Sequence, residues 1–456
     1  MTNDEIKVAT QNNRIIHSKV YLLDRGLRRV QQITGRVLDG ASFTNDSTSD
    51  IRRTCNISIL VDSSSFDLLE SSKEWFDKYY QVFIGIENNQ KKIIYTNMGI
   101  YLVDNPSFIY SATDNTLTIS GVDMMARMTG LRSGNLEGLD YQIKYNENSP
   151  TYIRNIMIDL IRECNRKPDG TYYNTPYSIV TPTDVAPKQA DGVNSTAIDT
   201  ICQDITINAG STAYDMLTQL RDINANFQIY YDVNGVFTYN MIPSGNNCPI
   251  MVNDNVWKKT LISYQQDISY DNVKNVIEVY GKENDTGGQW RGYAWDNNPY
   301  SPFYVGYVRI VNGSPDYSYS NTHYDSSLGK NTTNYEDMIA HAPNIIRKVC
   351  SGGEYDDIVK VEGSTVNLAQ DRAEYELYLN CKLQDSLTLT CVPIYWLDTN
   401  WLVEITLPNK NGTNETRQYI TKSINTTLGV DATQSITLMR YYPLYDFDAN
   451  VDIQNK

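Results

Sequence analysis

Hydrophobic and polar residues alternate along two stretches of this chain, one toward each end. In the first stretch, short apolar segments are separated by polar turns, which is typical of strands that bury one face. A helix-like segment at 66–80 interrupts the series. One or two helical turns are predicted at 121–130, after the last strand, and Gly130 closes them. Strands at this spacing predict a small barrel or sandwich over 1–130. The strand segments lie at 33–38, 55–61, 82–86, 93–95, 99–103 and 116–120.

The pattern changes between 131 and 254, where apolar residues recur at helical spacing. Ser149, followed by a proline, predicts a helix start, and the apolar positions within 153–164 give this helix one buried face. A second amphipathic helix is predicted at 211–220. The Asn-Gly pair at 234–235, flanked by β-forming residues, predicts a hairpin with a type I′ turn. This section is therefore predicted to be an inserted α/β domain.

The second alternating stretch lies toward the other end of the chain. Strands are predicted at 260–283 and, in several segments, between 387 and 439. The helix predicted at 368–379 has a stripe of small residues, including Ala369 and Ala373, that favours close packing. The chain is thus predicted to be mainly β with α+β insertions.

An irregular section rich in Gly, Asn, Tyr, Trp and Pro separates two parts of this second β region. A helix is predicted at its end, from 335 into 349. At 456 residues the chain is long enough for about three packing units. The predicted division is a first β domain at 1–130, an inserted α/β domain at 131–254, a second β domain at 255–283 with 346–456, and an aromatic-rich insertion at 284–345.

The two β regions repeat the same pattern of segments. In the first region, a strand at Val82 leads through a polar hairpin and a further pair to Ile119. In the second, a strand at Val403 leads through a similar hairpin and pair to Leu438. The match lies in the pattern and not in residue identity. It predicts two copies of one β topology.

Composition and charge exclude several classes of protein. The chain has 39 Lys and Arg against 54 Asp and Glu, a net charge of −15, which disfavours a protein that wraps DNA through a basic surface. No apolar run is long enough to span a membrane, and the polar N-terminus lacks the apolar core of a secretory signal. Seven cysteines without a C-x-x-C pair indicate a reducing compartment and unpaired, buried thiols.

A search for catalytic and metal-binding motifs gives no candidate site. The sequence contains no nucleophile elbow, Walker loop, H-E-x-x-H motif or EF-hand loop. His341 and Cys350 are the closest Cys/His approach, but without an orienting third group they favour a surface histidine and a core thiol. Glu70 and Glu74 favour a solvated helix face, and carboxylate pairs for glycoside hydrolysis depend on three-dimensional spacing. We predict no catalytic residue, cofactor or metal.

Tyrosine is in excess, with 35 Tyr against 9 Phe, and aromatic residues are dense in one part of the 284–345 section. One interpretation is a platform on which sugars of a cell envelope stack. The other is a loop packed on a neighbouring chain or domain, which we favour because Tyr and Trp enrichment is typical of protein interfaces. The candidate interface residues are Trp290, Tyr293, Trp295, Tyr300, Phe303, Tyr304 and Tyr307.

Four short motifs, spread over nearly the whole chain, resemble one protein family. They lie at 33–59, which includes Arg52-Arg53, at 98–125, at 272–281, and from the helix with Ala369 and Ala373 to 407. In this order they resemble the baseplate hub, or tail hub, proteins of long-tailed bacteriophages and contractile injection systems. One family feature is missing, because Tyr-Trp-Leu-Asp-Thr-Asn at 395–400 stands where a Pro-Gly-Asp is usual.

The resemblance implies two tail-tube-like β-barrel domains in each chain, with smaller inserted α/β domains. Three chains would form a homotrimeric ring of six barrels. The ring would match a sixfold tail tube or distal tail protein on one side and a threefold spike or tip protein on the other. DNA would pass through the lumen without specific nucleic-acid binding, and no membrane insertion is implied.

The implied role is structural, in the tail baseplate or tip of the virion, after assembly in the host cytoplasm. The chain ends at Lys456, soon after the last predicted strand, so we expect no C-terminal hydrolase domain of the kind that some relatives carry. The net negative charge predicts an acidic or mixed lumen. The alternative is a tail-tip protein that binds or cleaves envelope glycan, and a third possibility is an enzyme unrelated to phages.

Overall fold

A computed structural model of the chain shows a mainly β protein with α+β insertions, which confirms the predicted fold class. None of the helices in the part it describes is long and apolar enough to cross a membrane. The structure describes all residues except 1–2, 12–13, 34–35, 61–77, 111–114, 137–140, 147, 150, 186–197, 202–203, 225, 244–248, 270, 284–288, 308, 317–321, 351–367, 382–383, 409–410, 430 and 442–456.

The N-terminal part begins with a short helix and continues as strands. The helix α1 spans Asn3–Ala9, and a 3₁₀ turn spans Met124–Arg127. The strands are β1 Ile16–Leu23, β2 Arg29–Ile33, β3 Arg36–Val37, β4 Ser42–Asp46, β5 Arg53–Leu60, β6 Tyr79–Glu87, β7 Ile93–Tyr110 and β8 Asn115–Val122.

Helices and short strands alternate in the next section. The helices are α2 Ile153–Glu163, α3 Pro182–Val185, α4 Ala213–Asp222 and α5 Asp254–Thr260. The strands are β9 Tyr141–Ile143, β10 Tyr177–Ile179, β11 Ile205–Ile207, β12 Phe227–Tyr231 and β13 Phe237–Met241.

The C-terminal part is again mostly β. Its helices are α6 Asn334–His341 and α7 Leu368–Asn380. Its strands are β14 Leu261–Ser269, β15 Val276–Glu283, β16 Gln289–Trp295, β17 Arg309–Val311, β18 Ser314–Asp316, β19 Thr322–Asp325, β20 Lys330–Thr333, β21 Arg347–Cys350, β22 Gln384–Cys391, β23 Leu402–Pro408, β24 Asn414–Thr427 and β25 Gln434–Arg440.

The two β regions share one antiparallel sheet. Its strand order is β14-β22-β25-β24-β4-β5-β8-β7-β6-β1-β2, with β23 paired to β24 and β3 to β5. Within the described residues this sheet is open and does not close on itself. Each region has its own apolar core on one side of the sheet, centred on Ile57 and Ile119 in the first and on Leu389 and Ile436 in the second.

The insertions form smaller sheets with a core of their own. The strands β10, β13 and β12 form one of them, and α2 and α4 pack against its core through Met157 and Leu217. A second sheet has the order β16-β15-β21 and lies under α7. The strand β15, which the sequence pattern grouped with the second β domain, therefore belongs to the insertion. Periodicity identifies a strand but does not identify its partners.

Several local predictions are corrected by the structure. Most of the helix predicted at 66–80 lies outside the described residues, but its last two residues belong to β6. The helix expected to start at Ser149 begins at Ile153, after an N-cap without a side-chain hydrogen bond. The helix predicted from 335 into 349 ends at His341.

The 227–241 hairpin forms as predicted, but its turn is not type I′. A type I′ turn requires positive φ at both central residues, whereas only Gly235 has one, at 73°. Asp232 fixes the turn instead, because its Oδ1 accepts hydrogen bonds from the backbone N–H groups of Asn234 and Val236, both at 2.8 Å. Such Asx turns satisfy the backbone without left-handed geometry at the Asn.

The small-residue face of α7 is confirmed as a close-packing surface. Ala369 and Ala373 are both fully buried, and Gly292 on β16 lies directly beneath them. A Cβ atom on Gly292 would lie 2.0 Å from the Ala369 carbonyl oxygen, far inside van der Waals contact. The obstacle is backbone, so it cannot rotate away.

Gly292→Ala is therefore expected to lower the free energy of unfolding by about 1–3 kcal/mol, since overpacking forces the helix away from the sheet. Chemical denaturation of both proteins measures this difference. Thr206→Ala, at an exposed position of β11, serves as the control and should change stability by no more than about 0.5 kcal/mol. Equal effects of the two substitutions would contradict the packing argument.

Candidate functional site: a polar sheet face between two strand edges

The two β regions have the same strand order and the same register. The order β4-β5-β8-β7-β6 in the first corresponds to β14-β22-β25-β24-β23 in the second. Tyr101 pairs with Tyr80 as Tyr419 pairs with Val403, and both Tyr101 and Tyr419 are almost fully buried. The strands at the centre of each core correspond in the same way.

Ile57 pairs with Ile119 at the position where Leu389 pairs with Ile436. The register of β7 against β8 shifts after Val103, and that of β24 against β25 shifts at the equivalent point, after Thr421. The repeat predicted from sequence is therefore present. The predicted alignment, Val82 with Val403 and Ile119 with Leu438, is wrong by two residues at each end. A slip of two residues leaves every side chain on its own face, so the pattern cannot detect it.

We call the two repeated sets of strands, β4–β8 and β14 with β22–β25, the two units. Strand pairing joins these units to each other. Residues 423–427 of β24 pair antiparallel with Ser42–Asp46 of β4. The strand β23 pairs with the first part of β24. Beyond the end of β23, β4 pairs with the same edge of β24. The core face of the junction is covered by Phe43, which is opposite Thr426.

The face of the sheet opposite the apolar cores is lined by small polar residues. We call this the polar face. Because directly opposed residues share a face, the strand register defines its rows. One row crosses six strands and both units: Ser263, Thr390, Ser435, Asn425, Thr44 and Thr54. A second row contains Gln265, Thr388, Thr437, Ser423 and Asp46, and a third contains Thr427, Ser42, Asn56 and Ser120.

The polar face is exposed and nearly uncharged. All residues of its longest row are half-buried or exposed in the single chain. On the margin toward β7, Ser58 and Thr118 lie side by side with their hydroxyl oxygens 2.9 Å apart. The three rows contain Asp46 but no Lys or Arg, and Asp267 lies on the same face two residues beyond Gln265. A surface of hydroxyl and amide groups binds phosphates far less strongly than one with Lys or Arg.

A buried ion pair fastens the two units to each other. The Arg53 guanidinium, at the start of β5, donates to both carboxylate oxygens of Asp398, each at 2.6 Å. Asn45 of β4 donates to the same carboxylate at 2.6 Å. Burial opposes ionisation of Asp398, but Arg53 and Arg52 outweigh burial and hold its pKa below its usual value.

The same cluster connects the first insertion. Arg52 donates to the Gln228 side chain at 2.9 Å and lies over the ring of Tyr230, 4.2 Å from its centre. Burial, together with the neighbouring Arg53, lowers the pKa of Arg52 to about 10. The Asp123 carboxylate accepts from the Arg53 backbone N–H at 2.9 Å and caps the 3₁₀ turn. The Arg-Arg motif and the segment at 395–400 are thus in direct contact through Arg53 and Asp398.

Two strand edges remain open at the ends of this repeated arrangement. On the side away from β22, no strand in the described part of the chain pairs with β14, and Ile262, Tyr264 and Ile268 are 58, 43 and 47% exposed. In the same described residues, 106–110 of β7 has no partner strand on the side away from β8, and Ile109 is 61% exposed. Apolar residues on an open edge are characteristic of strands that pair with another chain.

The aromatic candidate residues do not form one surface. Trp295 is 5% exposed, and Tyr293 stacks on Tyr335 with ring centres 3.9 Å apart. Phe303, Tyr304 and Tyr307 also pack against buried cores, whereas Tyr300 is 77% exposed. Tyr300 lies in the turn at 299–300 and is not covered within the single chain, so its predicted contact with a neighbouring chain or domain stays a prediction. Trp290 lies in β16, where its side chain is outside the described set.

The cysteine prediction is confirmed for the described residues. Their five cysteines are free thiols, and burial raises the pKa of the Cys164 thiol to about 11 and that of Cys391 to about 12. Cys202 and Cys248 lie outside the described residues.

Comparison with known proteins gives one family match and several similar structures. A family described as a domain of unknown function (DUF5048) matches residues 338–445, and no curated protein matches the chain. A tail protein from Neisseria meningitidis MC58 is 10% identical, with a TM-score of 0.48 over 93% of this chain and 96% of that chain. The 43 kDa tail protein of prophage MuSo2 from Shewanella oneidensis is 11% identical, with a TM-score of 0.48 over 93% and 98%.

A third similar structure is the prophage tail protein gp18 from Listeria monocytogenes EGD-e. It is 9% identical, with a TM-score of 0.45 over 96% of this chain and 98% of that chain. All three are described as tail proteins.

Proposed function

We propose that this chain is a structural hub of a phage or phage-derived tail, and that three copies form a ring. One observation carries the proposal. The two units have the same register and are joined through the edges of β4 and β24, while the equivalent edges, on β14 and β7, are open. A contact that a chain makes internally between its repeats can recur between chains. Repetition of such a head-to-tail contact closes a ring when the rotation between successive chains completes a full turn.

The internal junction defines the register of the proposed contact. Residues 424–427 of β24 correspond to 106–109 of β7, and Ser42 to Asn45 of β4 correspond to 265–268 of β14. Transferring the pairing places Ser107 opposite Asp267 of the next chain. Pro106 and Phe108 then face Ile268 and Gln266 on the core side, which would cover apolar surface that is now exposed.

The number of chains follows from the width of the ring. Eight strands per chain, from β14 to β7, carry the polar face. Three chains give twenty-four strands, which at the usual strand spacing and tilt enclose a channel about 45–50 Å across between opposite backbones. Two chains would give about 32 Å, and side chains would fill much of that width. The trimer therefore fits a channel that passes DNA.

The polar face would line this channel. Its hydroxyl and amide groups offer hydrogen bonds but no fixed positive charge, so a moving duplex meets little that retains it. The proposed lumen is therefore nearly neutral, and not acidic or mixed as the net charge predicted. The charged residues named on the polar face are Asp46 and Asp267. The acidic excess then lies elsewhere on the chain.

The remaining assignments belong to the same proposal. The units at 1–130 and at 255–269 with 384–441 would be tube-like β domains, with insertions between them. The ring would bind a tail tube or distal tail protein on one side and a spike or tip protein on the other. It would act without catalysis, in the virion tail, after assembly in the host cytoplasm. Exposed Tyr300 would contact a neighbouring tail protein; it is also the observation that favours the alternative, glycan binding at the tail tip.

A cross-linking experiment tests the ring. In the variant with Ser107→Cys and Asp267→Cys, opposed Cα atoms would lie about 4.5–5.5 Å apart, which a disulfide can bridge. Both positions are exposed, and seven strand-to-strand steps separate them within one chain. We expect mild oxidation to give a covalent species of three chains, each of 51.9 kDa, on a denaturing gel.

The control variant, Ser107→Cys with Ser263→Cys, moves one thiol four residues along β14 and should remain uncross-linked. Native mass measurement of the unmodified protein gives the chain number independently. A monomer at micromolar concentration, together with no cross-link in the first variant, would contradict the ring.

A further inference from the structure

A histidine and two aspartates converge in the insertion between β15 and β21. Asp325 ends β19, and Asp337 and His341 lie one turn apart on α6. One possible ligand atom from each of the three residues lies within 4.8 Å of the others. The residues match no metal-binding sequence motif, because the ligands come from a hairpin and from the helix that follows it.

The two carboxylates are buried, and one of their oxygens lacks a hydrogen-bond donor. Asp325 and Asp337 are only 8% and 5% exposed. Ser327 donates to Oδ1 of Asp325 at 2.7 Å from both its N–H and its hydroxyl. Oδ2 of Asp325 is buried and accepts no hydrogen bond within the described residues, and it lies 3.6 Å from His341 Nε2. A buried carboxylate oxygen without a hydrogen-bond donor is unfavourable, and a cation beside it would stabilise it.

The histidine is oriented as a ligand would be. His341 Nδ1 is 2.8 Å from the Asp337 backbone carbonyl oxygen, which can only accept, so Nδ1 carries the proton. In the neutral ring, Nε2 then presents its lone pair toward Asp325 and toward the Ser327 hydroxyl, 2.8 Å away, whose single proton goes either to Nε2 or to Asp325 Oδ1. A backbone carbonyl that fixes the tautomer in this way is the usual support of a metal-binding histidine.

We propose that Asp325 Oδ2, an Asp337 carboxylate oxygen and His341 Nε2 bind a divalent transition-metal ion, and that Zn²⁺ fits this donor set. Tetrahedral Zn²⁺ with these ligands requires donor separations of about 3.3 Å. The Asp325 and His341 donors are 3.6 Å apart and all three donors lie within 4.8 Å of one another, so binding would draw the three side chains together by up to about 1.5 Å. Water would take the fourth position. His323, whose Nε2 is 3.4 Å from Asp337 Oδ1, would support that carboxylate from outside.

The site lies beside the smallest apolar core in the described part of the chain. The core beside it has only five buried residues among those described, including Trp295, Tyr335 and Met338. Small units of this size are often completed by a structural metal. The ion would clamp the β19–β20 hairpin to α6, and Tyr307 stacks on the ring of His341 with centres 5.8 Å apart. Metal binding would thus order an aromatic insertion, whether or not the chain forms a ring.

Calorimetric titration of the full chain with Zn²⁺ tests the site. We expect one ion per chain, and at least about tenfold weaker binding in Asp325→Asn and in His341→Gln. His17→Gln is the matched control, because His17 also faces a carboxylate, Glu87, at 3.3 Å but in the first β unit. The control should bind like the unmodified protein, and circular dichroism verifies that each variant is folded.

Two measurements on the unmodified chain keep the test independent of variant folding. An anomalous diffraction peak between Asp325 and His341 in zinc-soaked crystals would support the site. Substitution by Co²⁺ reports the ligand type, since a thiolate charge-transfer band would assign the ion to a cysteine and overturn the proposal. Absence of binding, or equal binding in the two site variants and the control, would overturn it as well.

Discussion

Asp398→Asn is expected to lower the free energy of unfolding by about 3–5 kcal/mol, the usual effect of removing one partner from a buried ion pair. The substitution leaves the Arg53 guanidinium charged, 3% exposed and without its carboxylate. It also weakens the hydrogen bond from Asn45 across the junction of the two units. Chemical denaturation measures the loss, and limited proteolysis should cut between the two β units in the variant first.

Asp159→Asn, on the exposed face of α2, is the matched control and should change stability by no more than about 0.5 kcal/mol. The double variant Arg53→Met with Asp398→Leu should recover part of the loss, since an apolar pair leaves no buried charge unpaired. If Asp398→Asn were as stable as the control, the ion pair would not hold the junction.

The effect should depend on pH in a defined direction. The pKa of Asp398 is lowered in the folded chain, so its contribution is complete above the unfolded pKa of about 3.9 and is lost as pH falls through the folded value. The difference between the unmodified protein and Asp398→Asn should therefore be constant from about pH 5 upward and shrink below about pH 4. A difference that grew on acidification would contradict this assignment.

Lysines placed on the polar face are expected to convert the ring from a weak into a strong DNA binder. The triple variant Thr54→Lys, Thr388→Lys and Asn425→Lys adds nine positive charges to the channel of a trimer. If six to nine of these charges contact phosphates, affinity at 50 mM salt should exceed that at 200 mM by about 10³-fold or more. Fluorescence anisotropy with a short duplex measures both values, and the unmodified protein should bind only weakly.

The charge-matched control places lysines on another exposed surface, through Asn155→Lys, Asn174→Lys and Ser178→Lys. This control separates channel binding from a change in net charge. It should bind DNA much more weakly than the polar-face variant, because its charges are not arranged around a common axis. Equal binding by the two variants, or tight binding by the unmodified protein, would be incompatible with a DNA channel lined by the polar face.

Local patterns in the sequence determined much of this structure. Alternation in segments such as 116–120 specified strands with one apolar and one hydroxyl face, because side chains of a strand point to opposite sides in turn. Helical spacing identified α7, and its small residues, Ala369 and Ala373, indicated the close contact that Gly292 permits. The duplicated β pattern was visible as well, since each copy must close its own core.

Only the tertiary structure decided which of these segments meet. Period-two alternation is unchanged by a slip of two residues, so it could not fix the register that aligns Tyr101 with Tyr419. Arg53 and Asp398 are 345 positions apart, and Asp325 and His341 belong to no motif, so neither contact leaves a local signal. The joined polar face depends on β4 pairing with β24, a contact between distant segments. Sequence periodicity reports how one segment is buried, whereas partner and register depend on the packing of the whole chain.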